Sequence, residues 1–146
     1  PYTVADMRRC VCVSSNESAL EDVWLCGYIV GWAAMDQANG LSASTLHLSA
    51  TGAVASNIVL ADAANETSAA AMCAVSLSTA TKNRKAVRVA LNLKEKPRML
   101  GVKVYVFGDV LRYGRETGMK RTDRYRYEVD GYWYGYATND GALLDI

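Results

Sequence analysis

One histidine, one phenylalanine and two prolines are all that 146 residues hold of those types. A hydrolytic triad needs a histidine base, and His47 lies in an apolar alternation with no nucleophile-elbow motif beside it. It reads as a structural or surface histidine. So little proline, with 51% hydrophobic and 21% charged residues, excludes a disordered tail or linker. The longest apolar run, Val23 to Met35, has thirteen residues between Asp22 and Asp36, short of the ~20 that a membrane-spanning helix needs. No basic stretch followed by an apolar one opens the chain, so no signal peptide and no membrane contact are expected. GxGxxG and GxxxxGK[ST] are both missing, which removes the standard phosphate cradles. The cysteines Cys10, Cys12, Cys26 and Cys73 include no CxxC pair and read as buried free thiols. No catalytic residue, metal or cofactor is assigned.

What is present is one domain's worth of chain, so residues 1–146 are expected to form a single domain. The net charge of +1 hides a division. Residues 1–81 hold two basic groups and seven acids, whereas Lys82 to Arg126 holds fourteen basic groups and four acids. Such asymmetry points to a polyanionic partner.

Periodicity predicts the elements. Met7 to Ser14 alternates like a short strand. Ser18-Ala19-Leu20-Glu21 fits a capping box, and Leu20, Val23, Trp24, Tyr28, Ile29 and Trp32 then recur at helical spacing up to Asn39-Gly40. Gly27 and Gly31 weaken that helix and leave a strand as the alternative. Thr45–Leu48 and Asn57–Leu60 read as strands joined through Thr51-Gly52, and Met72–Thr79 as strand or helix. Lys85 to Lys94 alternates, with Val87, Val89, Leu91 and Leu93 on one face and Arg88, Asn92 and Lys94 on the other. Gly101 to Phe107 is a further strand. Arg124 to Ala137 reads as a hairpin around Asp130-Gly131, a type I′ turn signal. The expected class is α+β, mainly antiparallel sheet with one N-terminal helix packed on it; an all-β sandwich is the alternative.

The strongest functional signal is the basic strand. Lys82, Arg84, Lys85, Arg88, Lys94, Lys96 and Arg98 crowd seventeen residues with one acid, Glu95. Arg84, Lys85, Arg88, Asn92 and Lys94 are the candidate nucleic-acid contacts, offering cationic and amide donors to phosphates and base edges. A solvated, charge-protected edge strand is the competing explanation. In the final hairpin Tyr125, Tyr127, Tyr132, Tyr134 and Tyr136 share a face, a candidate subunit interface or base-stacking surface. Pro1 also merits weighing, since a free N-terminal proline can act as a general base, as in tautomerases.

Met72-Cys73-Ala74-Val75-Ser76-Leu77, Lys82-Asn83-Arg84-Lys85 and Val87 to Leu93 resemble the central hairpin of single-stranded RNA bacteriophage coat proteins. Thr45 to Leu60 is similar to the strands that open that fold. Tyr2, Ser14-Ser15 and Leu25-Cys26 are also similar to the opening of rod-shaped plant virus coats. The phage resemblance implies a sheet packed with helices exchanged between subunits, and RNA contact by Arg84, Lys85, Arg88, Asn92 and Lys94. On this reading the chain is a viral or phage coat subunit, made in the host cytoplasm and located in the virion. It self-assembles into a homo-oligomer and contacts nucleic acid, RNA favoured, through its basic β-strand. The rivals are a small Pro1-dependent enzyme of tautomerase type and a protrusion or receptor-binding β domain of a larger capsid protein.

Overall fold

A computed structural model describes residues 1–36 and 38–135. Among these, seven strands and two α-helices follow the order α1 (Val4–Arg8), β1 (Leu20–Ala33), β2 (Leu46–His47), β3 (Asn57–Ala61), β4 (Met72–Ser76), α2 (Lys82–Leu91), β5 (Lys103–Tyr113), β6 (Glu116–Val129) and β7 (Tyr132–Gly135). β1 pairs antiparallel with both β3 and β5, β3 with β4, and β5 with β6. A parallel bridge between Val75 and Met119 joins β4 to β6 and closes the ring. Five strands in this order, with a helix between the third and fourth, make a Greek-key barrel of the OB type. The expected mix of antiparallel sheet and helix is present; the sheet closes into a barrel, where the sequence pattern suggested a sheet with one N-terminal helix packed on it or a sandwich.

Leu25, Ile29, Ile58, Leu60, Cys73, Val75, Val104, Val106, Val110 and Met119 fill the barrel. α2 plugs one end with Val87 and Leu91, both fully buried. α1 is fixed at its start by a Thr3–Asp6 capping box, and the N–H groups of Val4 and Ala5 donate to the Asp62 carboxylate at 2.8 and 3.0 Å. No helix among the described residues is long and apolar enough to cross a membrane.

Several expectations about the elements are corrected. The long helix predicted from Leu20 is strand β1. Its glycines are the reason: a Cβ on Gly31 would lie 2.0 Å from the His47 carbonyl oxygen, so only glycine lets β2 approach. The strand predicted over Met7–Ser14 is instead helix α1, starting at Val4, followed by irregular chain. The basic strand over Lys85–Lys94 is helix α2, with Thr81 as N-cap accepting from the Arg84 N–H at 3.2 Å. The hairpin that carried the likeness to phage coats therefore does not form. Thr45–Leu48 also contributes only Leu46–His47 as strand, paired with β1 and not with β3.

The final hairpin matches its prediction. Asp130 and Gly131 turn at φ of 53° and 81°, as a type I′ turn requires. Val129 faces Tyr132, and Tyr127 faces Tyr134. Tyr136 lies outside the described residues.

Candidate nucleic-acid interface

Alternation along β6 sends Tyr125 and Tyr127 to one side and Arg124 and Arg126 to the other. On the tyrosine side, the rings of Tyr125 and Tyr127 stack at 6.0 Å and 23°, and those of Tyr127 and Tyr134 at 5.2 Å and 16°. α2 runs beside this ladder. Between them lies an open groove of about 470 Å³, floored by Ala86, Val89, Ala90, Tyr125 and Tyr127 and flanked by Lys82, Lys85, Lys96 and Arg98. No acid lines it.

The placement of these cations breaks a local rule. The first turn of α2 carries Lys82, Arg84 and Lys85 and no acid, although a helix N-terminus repels positive charge by a few tenths of a kcal/mol per group. Val89 on the same helix is 47% exposed. Charge and apolar surface are thus both set against local stability, which is where a binding surface is expected.

The five predicted contacts separate. Lys85 is exposed and lines the groove. Arg84 is half-buried on the first turn of α2 and does not line it. Arg88 turns back to the barrel, its Nε donating to the Leu77 carbonyl at 2.6 Å. Asn92 is 1% exposed and ends the helix: its Nδ2 donates to the Arg88 carbonyl at 2.7 Å, and its Oδ1 accepts from the Glu95 N–H at 2.9 Å. Its amide is committed to the chain, so the base-reading role is corrected. Lys94 is exposed just past α2, outside the groove lining.

Among the tyrosines, Tyr125, Tyr127 and Tyr134 form the ladder, while Tyr132 is 71% exposed. Burial raises the phenols of Tyr125 and Tyr127 above their usual range, so both remain protonated donors at neutral pH. Sequence reasoning counted Lys82, Lys96 and Arg98 in the charge run without assigning them to a site. Lys82 opens α2 and Lys96 and Arg98 follow it, a placement that became meaningful only once residues 82–91 formed a helix. Lys96 also caps that region, its Nζ donating to the Val89 carbonyl at 2.6 Å.

Two other regions carry less. Barrels of this type most often bind ligands over their second and third strands and the adjoining loops. Here the outer side chains of those strands, Val59, Ala61, Met72 and Ala74, are buried under Leu41 and Leu46 from the β1–β3 connection. A polar cleft of about 670 Å³ remains beside them, lined by Arg112, Tyr113 and Lys120 among others. Lys120 is held over the Tyr113 ring at 5.5 Å and donates to the Ser15 carbonyl at 3.3 Å. Pro1 lines a shallow hollow with Tyr2, Asp6, Val23 and Trp24. His47 stacks on Trp32 at 4.2 Å. No group of three or more His, Cys, Asp or Glu among the described residues could hold a metal.

Residues 2–128 match one family model, a domain of unknown function (DUF6359). No curated protein and no solved structure matches the chain.

Proposed function

We propose that this chain, which belongs to the DUF6359 family, is a binding module for single-stranded nucleic acid. The observation that carries the reading is the groove in which a stacked tyrosine ladder lies beside three exposed cations, Lys82, Lys85 and Arg98. Bases stack on aromatic faces while a cationic wall follows the phosphates, a combination that suits a single strand rather than a duplex. The reading needs no catalytic group.

Fluorescence anisotropy with labelled dT20 and rU20 tests it. Wild-type protein is expected to bind both, with affinity falling steeply as salt rises. Lys82→Ala with Lys85→Ala should flatten the slope of log K against log salt by about 1.4, at ~0.7 for each phosphate no longer neutralised. Tyr127→Leu should cost about 1–3 kcal/mol of binding with the slope unchanged. Wild-type protein that binds neither oligonucleotide at low salt would defeat the reading.

A further inference from the structure

We infer that the outer face of β1, β5 and β6, on the far side of the hairpin from the tyrosine groove, is a second contact surface for the same single strand, taking its phosphates on cations held over aromatic rings. The inference rests on the nucleic-acid reading and extends its footprint.

Strand register places the side chains in rows. Trp24, Phe107 and Arg124 form one row; Cys26, Tyr105 and Arg126 the next; Tyr28 and Lys103 the third. Within the first row Trp24 meets Phe107 edge-on at 5.2 Å, and the Arg124 guanidinium lies 4.4 Å over the Phe107 ring. Arg126 lies 4.0 Å over Trp133 of β7, and Lys103 Nζ is 5.9 Å over Tyr28. Each cation is thus oriented by a ring before any ligand arrives, which lowers the ordering cost of binding. Rows two residues apart along a strand are separated by about 6.7 Å, a pitch close to that of successive phosphates in an extended single strand. Between the Trp24 row and the Lys103 row, Glu128 is the one acid on this face among the described residues. The charge therefore favours a polyanion, and the regular spacing favours a linear one.

β6 carries both surfaces, with Tyr125 and Tyr127 on one side and Arg124 and Arg126 on the other. A strand long enough to pass around the hairpin would engage both. A strand of four nucleotides would engage one.

The test compares wild type, the groove variant Lys82→Ala/Lys85→Ala and the outer-face variant Lys103→Ala/Arg124→Ala, with dT4 and dT20 at two salt concentrations. For dT20 the outer-face variant is expected to bind at least about fivefold more weakly, with the salt slope flattened by about 1.4 because two phosphates are no longer neutralised. Four nucleotides should bind wild type much more weakly than twenty. Arg124→Lys keeps the charge but loses the planar stack, and it stands in if the double variant fails to fold; it should weaken dT20 binding while largely preserving the slope. Unchanged dT20 affinity and slope in both outer-face variants, with the groove variant impaired, would overturn this inference and leave the module's function intact. Wild type that binds no oligonucleotide would overturn both. Sedimentation showing a wild-type dimer that the outer-face variant abolishes, with dT20 affinity unchanged, would assign the face to a second copy of the chain instead.

Discussion

The Asp109 carboxylate takes the Arg121 guanidinium on one oxygen, at 3.2 Å, and the backbone N–H of Asp22 on the other, at 3.0 Å. Both partners sit in left-handed backbone, with φ of 56° at Arg121 and 53° at Asp22, a conformation that costs a non-glycine residue roughly 1 kcal/mol or more. Each lies where the register of its strand slips, between Leu20 and Val23 on β1 and opposite the Phe107–Asp109 step on β6. One carboxylate therefore holds two bulges on either side of β5.

Asp109→Ala should accordingly destabilise the fold by about 1.5–3 kcal/mol, the range for hydrogen bonds to a charged group. Asp109→Asn keeps an acceptor for one partner and should lose less. Urea unfolding checks both. A loss under about 0.5 kcal/mol for Asp109→Ala, the size of an ordinary surface substitution, would mean that neighbouring pairing alone holds the bulges.

The two largest departures from the sequence reading share a physical origin. Helix positions i and i+4 are also an even number apart, so a strand face and a helix stripe can hold the same residues. In β1, Trp24, Tyr28 and Trp32 satisfied the helical spacing, whereas Leu25 and Ile29 occupy the barrel interior and Trp24 and Tyr28 its outer face. Gly27 and Gly31 were the legible signal, because close backbone approach needs glycine and a helix interior does not. In α2 the ambiguity ran the other way: Val87 and Leu91 suit both periods, while Thr81, Ala86 and Ala90 favoured a helix. The final hairpin was legible because Asp130-Gly131 fixes a turn, and a fixed turn fixes which tyrosines share a face. The groove was not, since it needs α2 and β6 side by side across a long stretch of intervening chain.

The helical assignment of residues 82–91 makes an asymmetric demand on its apolar positions. Leu91→Ala should cost about 2–5 kcal/mol, for it empties a fully buried site at the barrel end. Val89→Ala should change stability by no more than about 0.5 kcal/mol, since Val89 is exposed. A strand would make both positions equally sensitive. Thermal or urea unfolding of the two variants separates the cases.

Cys73 points into the barrel core and is fully buried, and burial pushes its thiol up to about 12. The thiolate is the reacting form, so Cys73 should be silent to a disulfide reagent near neutral pH until the barrel opens. Cys10, Cys12 and Cys26 are partly exposed and should react in the native protein. Three equivalents in the native protein, the Cys10 one slower because burial raises its thiol as well, followed by one that appears only in denaturant, is the expected count. Four equivalents in the native protein would show that the end of the barrel beside α1 opens easily.

Asp123 supplies a pH test beside Arg124 on β6. Its Oδ1 is buried with no hydrogen-bond donor among the described residues, and Arg124 Nε lies 3.9 Å from it. Burial raises its carboxyl above the ordinary value of 3.8; Asp22 adds to the rise, while Arg124 and Arg84 oppose it. The folded state therefore holds the proton more tightly than the unfolded chain. Its stabilising contribution is complete below 3.8, declines as pH rises from there through the higher folded value, and is gone beyond it. Asp123→Asn mimics the protonated form. Its melting temperature should match wild type at about pH 3 and exceed it by about 1–2 °C at neutral pH, a small margin because the side chain is 35% exposed to solvent. The same substitution removes a negative charge beside Arg124, so dT20 should bind the variant more tightly at neutral pH. Scanning calorimetry at the two pH values measures the first effect and anisotropy the second. A variant less stable than wild type at neutral pH would show that the pairing with Arg124 outweighs the desolvation of Asp123.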